Sequence, residues 1–142
     1  MSVILNFFGC DNTSDIPLPF TDNGISAGFP SPAEDLLEHS LDLNKELIKN
    51  PASTFYARVS GCSMTDAGID DGDLLIIDKL VEPFNGCVAV CYIDGEFTLK
   101  RVEFEKDYIL LVPKNANYKP IKVTKDNDFM IWGVVRYSIK KF

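Results

Sequence analysis

Histidine is almost missing from this 142-residue chain, where His39 stands alone. A serine or cysteine nucleophile working with histidine would have to use it, and nothing around it marks a base. There is no GxSxG elbow, no Walker A loop and no Rossmann glycine pattern, which removes the common hydrolase and nucleotide-binding signatures. The four cysteines, Cys10, Cys62, Cys87 and Cys91, form no CxxC pair and no tandem metal spacing. Free thiols are expected, with no metal and no other cofactor. On an expected strand, Cys87 and Cys91 would stand roughly 13 Å apart, beyond disulfide reach.

Basic charge is scarce as well. Fourteen Lys and Arg face 21 Asp and Glu, for a formal charge of −7. Phosphate binding needs a basic face, so no general grip on nucleic acid and no direct sequence-specific DNA binding are expected. Long apolar runs are missing too. The opening MSVILNFF is interrupted by Asn6, has no basic start, and is too short for a membrane span or a signal segment. No membrane association and a cytoplasmic location are the expectations. What is present, 46% hydrophobic and 25% charged residues, is the mix of one ordinary globular domain.

Residues 1–30 contain Pro17, Pro19, Gly24, Gly28 and Pro30 with no sustained period, the pattern of an arm rather than a domain. Residues 1–27 hold Asp11, Asp15 and Asp22 without Lys or Arg, hence −3 of the −7, which leaves −4 for residues 28–142. Ser31-Pro32-Ala33-Glu34 is a capping box with proline at the first helical position. The leucines that follow, to Leu47 and Ile48 before Asn50-Pro51, predict one kinked helix or two short ones between about 32 and 49, with His39 on it. After Pro51 the chain reads as strand and turn: Thr54–Val59, Asp73–Asp78, Gly86–Ile93, Glu96–Phe104, Tyr108–Val112 and Phe129–Ile139, with a short strand near Ile121–Thr124. Asp94-Gly95 is a type I′ hairpin signal. The fold class is therefore mainly β, an antiparallel, partly closed β-fold with a flexible N-terminal arm and one or two short helices.

With histidine excluded, a serine activated by lysine remains. Ser63 lies in Gly61-Cys62-Ser63-Met64 at the end of a strand, where a glycine turn can expose a hydroxyl and aim backbone N–H groups at one point. The same composition also suits an ordinary turn serine. Counting by twos from Asp94-Gly95 puts Thr98, Lys100, Val102 and Phe104 on one face, with Phe97, Leu99 and Arg101 on the other. A free lysine titrates near about 10.4, so holding it neutral at neutral pH costs about 4 kcal/mol unless burial lowers its pKa. Lys100 on such a strand either is buried or carries its ammonium out to water along its stem.

Gly61-Cys62-Ser63-Met64, Asp71-Gly72-Asp73-Leu74-Leu75-Ile76 and Asp94-Gly95-Glu96-Phe97-Thr98-Leu99-Lys100-Arg101 together resemble the LexA/UmuD family of self-cleaving serine peptidases, nearest its UmuD branch of polymerase accessory subunits. The resemblance runs from about residue 24 to the C-terminus and includes Gly28-Phe29-Pro30-Ser31-Pro32 and Gly133-Val134-Val135. It implies the β-fold of the LexA/UmuD C-terminal domain. It implies Ser63 as nucleophile, Lys100 as general base, the backbone of Cys62 and Ser63 as oxyanion donors, and Ala27-Gly28 as the bond cut. The cut would divide the chain into an arm, 1–27, and a peptidase and dimerisation domain, 28–142. The implied partners are a second copy of the chain, a RecA filament on single-stranded DNA that stimulates the cut, and an UmuC-type Y-family polymerase joined by the shortened form in SOS translesion synthesis. Residues 1–27 are too short to hold the helix-turn-helix domain of LexA-type repressors. Two other readings keep the fold: a non-catalytic dimeric binding module and an atypical SOS transcriptional regulator.

Overall fold

The computed structural model describes residues 4–11, 17–20, 39–61 and 64–142. They fall into two compact units, residues 11–51 and the remainder, 1–10 with 52–142. The larger unit is one antiparallel sheet of eight strands, mostly β and partly closed as its pattern predicted. Its strands are β1 (Ile4–Gly9), β4 (Thr54–Ser60), β5 (Leu74–Asp78), β6 (Val88–Ile93), β7 (Glu96–Phe104), β8 (Ile109–Val112), β9 (Ile121–Val123) and β10 (Phe129–Ile139). They lie side by side in the order β1-β4-β5-β10-β6-β7-β8-β9.

The sheet curls strongly. β1 and β10 are three places apart, about 14 Å in a flat sheet. Yet the Phe7 ring lies 4.9 Å from that of Trp132 on β10, and 5.9 Å from that of Phe97 on β7, two places further on. One face of the curl packs Ala57, Val59, Met64, Leu75, Ile77, Val90 and Leu99. The other packs Ala89, Cys91, Val102, Leu111, Val123 and Val134. Strands buried on both faces explain why Leu74-Leu75-Ile76-Ile77 reads as a continuous apolar run rather than an alternating one.

β10 holds this arrangement together, pairing with β6 through Phe129–Val134 and with β5 through Val134–Ile139, with an irregularity in each ladder. Gly133 sits at the first of these. A Cβ there would come within 2.6 Å of Ile77 Cγ2, so the missing side chain is what lets β10 press onto β5. Gly133→Ala is expected to lower unfolding stability by about 1–3 kcal/mol, read by denaturant titration.

The expected strands after Pro51 are all present, with ends shifted by at most two residues. Two features differ. Ile4–Gly9 is a strand although it shows no alternation, because an edge strand leaves Ile4 and Phe8 exposed whatever their polarity. The expected helix around His39 is not there. In the smaller unit His39–Asp42 forms β3, paired with β2 (Pro17–Phe20) in a register that sets the Leu41 backbone opposite that of Leu18. Among the described residues of the expected helical stretch, Leu43–Leu47 alone is α-helical, α1, its N-terminus capped by Asp42 Oδ1 accepting from the Asn44 N–H at 3.0 Å. Five residues cannot sustain a helix by propensity, and cross-strand pairing overrides the leucine spacing. The capping box 31–34 lies outside the described residues.

Candidate functional site

Lys100 occupies the middle of β7, opposite Ala89 on β6. The hairpin that places it is the expected one: Asp94 and Gly95 have φ of 48° and 92°, as a type I′ turn requires. Asp94 is further fixed by accepting from the Asp128 N–H and the Asn127 amide. Alternation from that turn sets Thr98, Lys100 and Val102 on one face and Leu99 on the other, and all four are buried. Lys100 is 5% exposed, so its ammonium does not reach water along its stem.

Nζ donates to Thr98 Oγ1 at 2.8 Å and to the Leu99 carbonyl at 3.2 Å. Burial pushes its pKa below the ordinary lysine value, with the nearby Cys91 sulfur opposing the shift. That opposition is minor, because burial drives the Cys91 thiol up to about 12 and it carries no charge at neutral pH. A buried amine with a lowered pKa and two acceptors at fixed distances is equipped to take a proton. Thr98, two residues back on the same face, was placed correctly by strand counting, but its part in orienting the amine carried no sequence signal beyond that spacing. Lys100 lines a cleft of about 210 Å³ together with Ile93, Glu96, Phe97, Thr98, Tyr118, Lys119 and Ile121.

Ser63 and Cys62 lie outside the described residues, as do Ala27 and Gly28, but both flanks of Ser63 are well fixed. Gly61, at φ 114°, donates its N–H to Asp71 Oδ1 at 3.0 Å. Met64 is fully buried, and its carbonyl accepts from the Ala67 and Ile69 N–H groups. It belongs to the same apolar cluster as Leu99, the neighbour of Lys100. The loop after β8 links the two segments again: the Lys114 carbonyl accepts from the Asp66 N–H, Asn115 donates to Thr65 Oγ1, and Tyr118 and Lys119 line the cleft at Lys100. Asp73 closes the turn that follows. Burial pushes its carboxyl up, but the Asp70 N–H, Lys140 and Ser138 outweigh that and hold it below the usual carboxylate range. Sequence reading gave Met64, Asp71 and Asn115 no role, because such contacts depend on segments far apart in the chain.

Among the described residues, Cys10, Cys87 and Cys91 are free thiols, the last two buried. No described helix is long and apolar enough to cross a membrane.

Residues 19–136 match the family model described as Peptidase S24-like. The chain is 43% identical over 115 residues to Protein SamA of Salmonella typhimurium strain LT2, covering 81% of this chain and 79% of that protein. It is 38% identical over 123 residues to Protein MucA of Escherichia coli, covering 86% and 84%. Over 110 residues it is 38% identical to the LexA repressor of Xylella fastidiosa strain M23, covering 78% of this chain but 52% of the repressor.

Proposed function

Because the chain belongs to the S24-like peptidase family, as a serine peptidase of the LexA/UmuD type, we propose that it cuts its own Ala27–Gly28 bond with Ser63 as nucleophile and Lys100 as base. The observation that carries this reading is the burial of Lys100, with its lowered pKa, on a cleft rather than at the surface. The shared packing of Met64 and Leu99, and the loop that ties Thr65 and Asp66 to the residues lining the cleft, support a meeting of the two segments.

In this mechanism neutral Nζ of Lys100 takes the Ser63 hydroxyl proton as Oγ attacks the Ala27 carbonyl carbon. The tetrahedral oxyanion is held by the backbone N–H groups of Cys62 and Ser63. As the C–N bond breaks, the lysine returns the proton to the Gly28 nitrogen. Water, deprotonated by the same amine, then attacks the Ser63–Ala27 ester carbonyl; the C–Oγ bond breaks, the lysine returns the proton to Ser63 Oγ, and Ala27 leaves as a carboxylate. Small residues on both sides of the bond let an extended segment lie close to the serine. The wider role follows the family: a RecA filament on single-stranded DNA stimulates the cut in the cytoplasm. The shortened chain, as a homodimer, then serves an UmuC-type Y-family polymerase during SOS translesion synthesis.

Intact-mass spectrometry tests the chemistry. The purified chain incubated at pH 7.5 and at about pH 10 should give fragments 1–27 and 28–142, faster at the higher pH because more Lys100 is neutral. Ser63→Ala and Lys100→Ala should both remain whole. A chain that stays whole at both pH values, and also with RecA filament and single-stranded DNA, would replace this reading with that of a binding module.

A further inference from the structure

β1 lies on the N-terminal side of the proposed cut, yet it is built into the body of the sheet. All six of its residues pair with β4, from Ile4 opposite Ser60 to Gly9 opposite Phe55. Because β1 is the edge strand, its loss would leave the outer backbone groups of β4 without partners. It would also uncover an aromatic slot. Phe7 stands edge-on to Trp132 and Phe97, and Trp132 in turn meets Phe55 at 5.1 Å with the Lys79 ammonium 4.9 Å from its ring. With Phe7 gone, Trp132 and Phe97 lose the ring that packs against both.

β1 meets the core with one face only. Ile4 and Phe8 point to solvent at 62% and 53% exposure, while Leu5 packs on the core and Phe7 on the rings of Trp132 and Phe97. The other described strand in residues 1–27 is β2, where Pro17 and Pro19 have no N–H to offer. Held by short strands of this kind, the piece depends on its covalent link for a high local concentration, and cutting the link removes that advantage.

We propose that the β4 edge is a strand-docking site for a partner protein, kept filled by β1 until the N-terminal piece leaves. The occupant is an extended, uncharged segment patterned like β1, with an aliphatic residue followed two positions later by an aromatic one. The evidence for that chemistry is β1 itself, which shows what the site accepts: backbone pairing along β4 for affinity, and one aromatic anchor against Trp132 and Phe97 for specificity. The timing of exposure rests on the cut proposed above, whereas the site does not.

The experiment therefore uses the full chain made uncuttable by Ser63→Ala. A second version also carries Leu5→Asp and Phe7→Asp to expel β1 from its seat. The probe is a fluorescent peptide of residues 2–11, read by anisotropy, with amide exchange in β4 followed in parallel. The peptide should bind the β1-expelled chain at least about tenfold tighter than the parent. Phe7→Ala in the peptide should abolish that gain, and the peptide should restore slow exchange to β4. Phe7→Ala in the chain alone is the milder variant should the double change unfold it. Equal binding to both chains, or none while the β4 amides exchange freely, would overturn the proposal. Equal β4 protection in both chains would overturn it too, because β1 would not then cover this edge. Self-cutting is read separately, by mass, in chains that retain Ser63.

Discussion

Lys100→Met is expected to slow self-cutting about a hundred- to ten-thousand-fold, the usual contribution of a general base, while making the protein melt at a higher temperature at pH 7. The two effects have one cause. In the folded chain the amine is buried, which depresses its pKa, while in the unfolded chain it titrates normally. Between those two values the unfolded state binds more protons, so this group makes stability rise with pH across that window. Below the window the lysine imposes its full penalty, and methionine, of similar length and without charge, removes it. The gain in melting temperature over the parent should therefore be largest at the low end of the pH range and shrink as pH approaches about 10.4. Melting both proteins by scanning calorimetry between pH 6 and 10 checks this. A constant difference across that range would mean that Lys100 is not desolvated, and the proposed base would lose its support.

Met64→Ala carries the next largest effect. Met64 is fully buried beside the proposed nucleophile and shares a cluster with Leu75, Ile77 and Leu99. Emptying that volume is expected to lower unfolding stability by about 2–5 kcal/mol. It should also slow self-cutting at temperatures where the chain remains folded, because the segment after Ser63 loses its anchor. Met64→Leu fills the space and should cost less than about 1.5 kcal/mol, with cutting near the parent rate. Urea titration alongside a timed cleavage assay separates the two consequences. Normal cutting by a destabilised Met64→Ala chain would show that Asp71, which accepts from the Gly61 N–H, suffices to place the serine.

How much of this could be read from residues alone varied along the chain. The β6–β7 hairpin was fully legible, because Asp94-Gly95 fixes a turn type and the turn fixes which side chains share a face. Lys100, Thr98 and Val102 follow together from that phase, and all three are buried on one face. β1 was illegible because an edge strand carries no periodic signature when its solvent side is as apolar as its buried side. The segment around His39 misled because leucines spaced three and four apart fit a helix, and only the pairing of β3 with β2 reveals otherwise. The holding of Thr65 and Asp66 by residues 114 and 115 could not be seen either, since it depends on where two distant loops meet.

β10 has a consequence for the making of the protein. Among the described strands it is the one whose backbone pairs with both β5, at the end of the β1-β4-β5 group, and β6, at the start of the β6 to β9 group, and it is the last of the ten in chain order. In chain order the proposed nucleophile follows β4, of the first group, and Lys100 lies on β7, of the second. During synthesis both groups leave the ribosome before residues 129–139, the strand that lies between them in the sheet. The longest-range pairing is thus also the final one, and closure waits on it. The sheet that carries the proposed base is therefore complete only once translation has passed β10.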